Sequence, residues 1–194
     1  MTMNREEWLY RAAGIFKEEL FAPVGVKLPS NIRIGVGFPK GRGGKGQHAI
    51  GQCWTHERSR DKTFEIFIHP ELDNPLRVAD VLIHELCHVG AGIDAGHGSQ
   101  FRRIAKEVGL AGKMTATVAG EMLLERLPKL LKPLPKYPHA SLDASRAITT
   151  AAKKEGTRLI KAECGECGFI IRTTRKWIED VGLPICACGG EFKV

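Results

Sequence analysis

The chain contains no apolar run approaching the roughly 20 residues that a bilayer-spanning helix needs, so a membrane protein of that kind is not expected. Its opening stretch carries Arg5, Glu6, Glu7, Lys17, Glu18 and Glu19, and the uninterrupted apolar core of a secretory leader is missing. An intracellular, cytoplasmic protein is therefore expected. There is no internal repeat. The glycine-rich stretch Lys40–Gly46 (KGRGGKG) lacks the GK[ST] ending of a phosphate-binding loop and runs into Gln47, which excludes a Walker site and leaves a basic hairpin tip as its use. The six cysteines are too few and too bunched for a secreted disulfide framework.

What is present is a chain of 194 residues, 43% hydrophobic and 26% charged, enough for one compact domain with a small appendage or for two small domains. That apolar fraction excludes wholesale disorder. Lys and Arg number 29 against 22 Asp and Glu, a formal charge of +7. Residues 1–98 hold 12 basic and 12 acidic side chains, residues 99–140 hold 8 and 3, and residues 141–194 hold 9 and 7. The excess in the second half points to an anionic partner, of which nucleic acid is the commonest.

Periodicity predicts an amphipathic helix over Glu6–Phe21 and strands over Asn31–Phe38, Ala49–Thr55 and Thr63–His69. His69 is expected at the surface. A helix opened by Asn74-Pro75 should run over Leu76–Val89, followed by a glycine-rich turn and a helix from a Ser99 cap through Val108. Another helix is expected over Val118–Leu127, broken by Pro128. Pro133, Pro135 and Pro138 mark an extended linker, Ala144–Glu155 reads as helical, and short strands follow from Arg158.

The helix predicted over Leu76–Val89 carries His84-Glu85-Leu86-Cys87-His88, an HExxH motif. Spacing of four residues puts both imidazoles on one helix face within reach of a single zinc ion. Glu85 then stands beside the metal as a general base for water. A catalytic zinc needs a third protein ligand and an open fourth position. Asp94, Glu107 and His97 are the candidates. His97 is favoured because Gly96 and Gly98 let its ring swing toward the helix terminus. Asp94 and Asp80 are candidate acceptors for a ligand imidazole N–H. Cys87 is expected in the core.

Cys164-Gly-Glu-Cys167-Gly and Cys186-Ala-Cys188-Gly-Gly form two knuckles, with Phe169–Val181 between them long enough for a hairpin. Four thiolates so placed imply a structural zinc site that supplies folding energy and does no chemistry. Lys153, Lys154, Arg158, Lys161, Arg172, Arg175 and Lys176 lie in or near this ribbon and are the candidate nucleic-acid contacts. Trp177 is expected in the hairpin core, with a base-stacking platform as the alternative.

HELCH, the short spacer, GHGSQF and the helix after it resemble the SprT-like metalloprotease domain, and a C-terminal zinc ribbon is common in that family. The resemblance runs from about Glu6 to the C-terminus and is strongest to short phage and bacterial members. It implies zinc ligation by His84, His88 and His97, catalysis by Glu85, and a bacterial or phage-infected host cell as the setting. The expected architecture is α+β: a zincin-like domain over residues 1–138, with a small antiparallel sheet, the HExxH helix and a helical bundle, then a basic linker over 139–157 and a four-cysteine zinc ribbon over 158–194. The expected function is a zinc metalloendopeptidase, assumed monomeric, with one catalytic and one structural Zn2+, a protein substrate and DNA as partner. The alternative is a non-catalytic DNA-binding or transcription-associated protein on the same scaffold. In other HExxH proteases the substrate adds to an edge strand, a role for which Phe64–His69 is the candidate here.

Overall fold

A computed structural model describes residues 3–39, 49–143 and 159–194, which fall into two units, one within 1–145 and one within 146–194. Both units mix helices with small sheets. The expected helix over 144–155, the glycine-rich loop at 40–46, and Lys153, Lys154 and Arg158 lie outside the described residues.

The first unit opens with helix α1 (Arg5–Phe16). Asn4 caps it by accepting the Glu7 amide, and Trp8, Leu9, Ala12 and Phe16 form its buried stripe. The helix then continues as a π-turn over Lys17–Phe21 before Gly25, at φ 74°, ends it. Three strands follow: β1 (Ile32–Val36), β2 (Gly51–Trp54) and β3 (Phe64–Ile68). Their order is β1-β3-β2, with β3 parallel to β1 and antiparallel to β2. The sheet is thus mixed, not antiparallel, because β3 inserts between the two strands that precede it. It follows that Phe64–His69 is the central strand and has no edge to offer a substrate. One outer strand, β1, has its Ile34 amide capped by the Tyr10 hydroxyl at 3.0 Å, and the other outer strand is β2.

Helix α2 (Pro75–Ala91) runs through the middle of this unit. Asn74 accepts the amides of Leu76 and Arg77, and Pro75 sits at the first position, where no N–H is needed. Val78, Leu82, Ile83, Leu86 and Cys87 are buried in the common core with Ile34, Ile66, Ile68 and the α1 stripe. Cys87 is fully buried, as a core residue should be. A 3-10 turn over Ile93–Ala95 leads to α3 (Ser99–Glu107), whose N-cap is Gly98 rather than Ser99.

The next segment departs from expectation. Residues 110–119 form a hairpin of β4 (Leu110–Lys113) and β5 (Ala116–Ala119), and the helix begins later, as α4 (Glu121–Leu131). The hairpin turns at Met114-Thr115, and Val118 pairs with Ala111 across it, so the residue expected to open the helix is committed to a strand. Pro128 lies inside α4 without ending it.

The prolines after α4 do not open a free linker. Trp8 Nε1 donates to the Pro135 carbonyl at 2.9 Å, and Tyr137 packs edge-on against the Trp8 ring. His139 Nε2 donates to the Pro70 carbonyl, leaving Nδ1 to accept from Arg5. The Leu142 amide and the Ser141 hydroxyl then donate to the carbonyls of Pro70 and Glu71. The first unit therefore extends past residue 138. His69, expected at the surface, is buried: its Nδ1 accepts the Glu71 amide and its ring meets Phe38 edge-on.

The second unit is built on a sheet ordered β7-β6-β8, from β6 (Ile160–Cys164), β7 (Ile170–Thr173) and β8 (Phe192–Lys193). Between β7 and the second knuckle lies a short helix, α5 (Arg175–Val181), capped by the Thr174 hydroxyl, where the sequence suggested only a hairpin. Ala162, Cys164, Cys186 and Phe192 make its small core. Trp177 is not in that core. It lies on α5 and is 56% exposed, with Lys176 Nζ 6.0 Å from its ring centre.

Candidate metal centres

Helix α2 presents His84 and His88 one turn apart, and the glycine-rich turn brings His97 back over them. Gly92 and Gly96 take φ of 78° and 47° in this turn, values that side-chain-bearing residues avoid. The three imidazoles converge through Nε2. His97 Nε2 lies 3.2 Å from that of His88 and 3.3 Å from that of His84. Nitrogens bound tetrahedrally at 2.0–2.1 Å from a zinc ion would stand about 3.3–3.4 Å apart. Three neutral imidazoles with lone pairs facing one another at that separation suit a cation. Phe101 of α3 forms the floor, its ring centre 5.0, 4.4 and 4.9 Å from those of His84, His88 and His97.

The electrostatics keep these rings neutral and hence able to ligate. Burial, with the neighbouring imidazoles adding to it, lowers His84 to about 3 and His88 to about 4, and burial also lowers His97. Of the other candidates for third ligand, Asp94 is exposed in the 3-10 turn, and Glu107 pairs with Arg103 at 2.8 Å. Among the described residues only the three histidines form a ligand group in the first unit.

Glu85 turns away from the solvent side of the helix. It is 5% exposed, and burial pushes its carboxyl up to about 8. It packs against β2 at Gly51, where an added Cβ would sit 2.5 Å from Glu85 Oε1 and 2.6 Å from Val81 Cγ1. Glycine at 51 is thus what lets the strand back directly onto the carboxylate. Cys53, also on β2, is raised by burial and by the nearby Glu85 charge, so its thiol stays protonated.

One partner of the trio has no signature in the sequence. His84 Nδ1 lies 2.7 Å from the Thr117 hydroxyl on β5. The anticipated acceptor Asp80 is engaged elsewhere: it takes two hydrogen bonds from Arg77 Nη1, at 2.8 and 3.0 Å.

In the second unit Cys164, Cys167, Cys186 and Cys188 converge. Sulfur separations of 3.6 Å for Cys164–Cys188 and for Cys167–Cys186 are close to the roughly 3.8 Å edge of a tetrahedron with Zn–S bonds of 2.3 Å. Each knuckle turns on a glycine of positive φ, Gly168 at 72° and Gly189 at 86°. The backbone amides of Cys167 and Glu166 stabilise the Cys164 thiolate and pull its pKa down to about 7. Gly190 leaves room for that sulfur, since a Cβ there would lie 2.7 Å from Cys164 Sγ. Both ligand sets therefore fit a metal ion, and both are compatible with zinc.

The candidate nucleic-acid residues are less concentrated than their sequence positions suggested. Lys161 and Arg172 are cross-strand neighbours on β6 and β7, but Lys161 pairs with Glu163 at 2.7 Å. Arg175 and Lys176 open α5. Residues 159–194 hold five basic side chains (Lys161, Arg172, Arg175, Lys176, Lys193) and five acidic (Glu163, Glu166, Glu179, Asp180, Glu191), so this segment has no net charge. Among the described residues no helix is long and apolar enough to cross a membrane. Comparison of the chain with protein-family models, with curated proteins and with solved structures finds no match in any of the three.

Proposed function

We propose that the chain is a zinc-dependent metallopeptidase of the SprT-like kind, with a zincin-like first unit and a structural zinc ribbon, acting on proteins associated with DNA. The observation that carries this reading is the set of three Nε2 atoms at tetrahedral spacing with a buried carboxylate on the residue next to the first of them. Zinc held by His84, His88 and His97 would supply Lewis acidity for hydrolysis of a peptide bond.

The chain's own residues supply the rest. Glu85 takes a proton from the attacking water on a carboxylate oxygen and passes it to the departing amine. Strand β2 is an outer strand of the sheet and backs Glu85 through Gly51, so it replaces β3 as the strand beside which an extended peptide lies. Recruitment to nucleic acid rests on charge: residues 99–158 hold twelve basic and five acidic side chains, which accounts for the whole +7.

The test is Glu85→Gln in the full chain. Zinc content should stay at the wild-type level while cleavage of a DNA-bound protein substrate falls by about 10^2–10^4, the usual share of a general base. Cleavage at the wild-type rate by the purified variant would remove the assignment. A wild type that binds nucleic acid and cleaves nothing would favour the non-catalytic alternative.

A further inference from the structure

The β4–β5 hairpin stands against α2, and the Thr117 hydroxyl meets His84 Nδ1 at 2.7 Å. The burial of β5 follows its alternation: Thr117 and Ala119 are buried, while Ala116 and Val118 are exposed. The inward face of the strand thus delivers the hydroxyl to the imidazole.

We propose that Thr117 is a positioning residue for the metal-binding imidazole of His84. When Nε2 of His84 ligates a metal, its remaining proton is on Nδ1, and the Thr117 hydroxyl oxygen is the acceptor at that atom. The hydrogen bond fixes both the tautomer and the tilt of the ring over Phe101. Partners of this kind ordinarily change metal affinity by about 10- to 100-fold when removed. The inference rests on the proposed metal centre, although not on its catalytic use.

The test is chelator competition on the zinc-loaded full chain, with total zinc release followed beside the thiol reactivity of the four ribbon cysteines. Thr117→Val keeps the shape and removes the acceptor, and it should lower zinc retention at the histidine site by about tenfold. Release from the cysteine site should be unchanged in the same sample. Thr117→Ser, which keeps the hydroxyl, should retain the wild-type curve. A Thr117→Val curve that overlays the wild type overturns the proposal. Equal weakening by Val and Ser also overturns it, since that would report packing and not the hydrogen bond. A wild-type chain with zinc at the cysteines alone overturns both this inference and the metal centre. Wild-type zinc retention without proteolysis would overturn only the proposed activity.

Discussion

Glu85 combines two features that rarely coexist in a structural acid: it is almost fully buried, and the group lying against it is a glycine backbone instead of a countercharge. Burial raises its pKa from an ordinary 4.5 to about 8. Without metal, the folded chain therefore keeps the Glu85 proton between pH 4.5 and 8, whereas the unfolded chain releases it. Stability is lost as pH rises through that window. His84 and His88 work in the opposite sense. They remain neutral in the fold down to about 3 and 4, so their contribution is complete above about 6.5 and is lost as pH falls. Glu85→Gln removes only the first effect. Denaturation midpoints of the zinc-stripped wild type, relative to zinc-stripped Glu85→Gln, should fall between pH 4.5 and 8. Parallel pH profiles would show that Glu85 is not held protonated. The placement of Glu85, His84 and His88 was legible in the sequence because a spacing of four residues on a helix is a local rule. Thr117 was not, because its strand is built from Ala, Thr and a single Val and shows no apolar alternation.

Among the elements, local signals were again readable and distant pairings were not. Phe64–Ile68 was readable as a strand, but its place in the middle of the sheet was not, since strand order depends on pairings distant in sequence. The proline-rich stretch after α4 looks like a linker by composition, yet Trp8, Arg5 and the Pro70 carbonyl tie it to the first unit. In the second unit the two cysteine knuckles were legible from spacing alone, while α5 depends on a single Thr174 cap. The knuckles also depend on glycine for space. Gly190→Ala places a carbon 2.7 Å from Cys164 Sγ and 2.7 Å from Glu166 Cγ. It should lower zinc retention at the cysteine site by about tenfold, as a displaced ligand would, and leave the histidine site unaffected. Chelator competition reads both sites, and an unchanged cysteine site would mean the sulfur moves freely.

The whole chain divides its charge in a way that constrains where the proposed nucleic-acid contact would lie. Residues 1–98 and 159–194 are each neutral, and the intervening 99–158 carry +7. The proposed recruitment thus belongs to the middle of the chain more than to the ribbon. Replacing Lys153 and Lys154 with Gln should weaken binding to double-stranded DNA and reduce the salt slope by about 0.9 for each phosphate that is no longer neutralised. Replacing Lys161 and Arg172 should change the slope little, because Lys161 is already paired with Glu163. The reverse ranking in a salt titration would return the binding surface to the ribbon.

Everything proposed about chemistry depends on the convergence of His84, His88 and His97. Zinc per chain, measured for the wild type and for His97→Ala after exhaustive dialysis, tests it most directly. Two equivalents are expected in the wild type and one in His97→Ala, the survivor held by Cys164, Cys167, Cys186 and Cys188. Two equivalents retained by His97→Ala, or only one in the wild type, would contradict it.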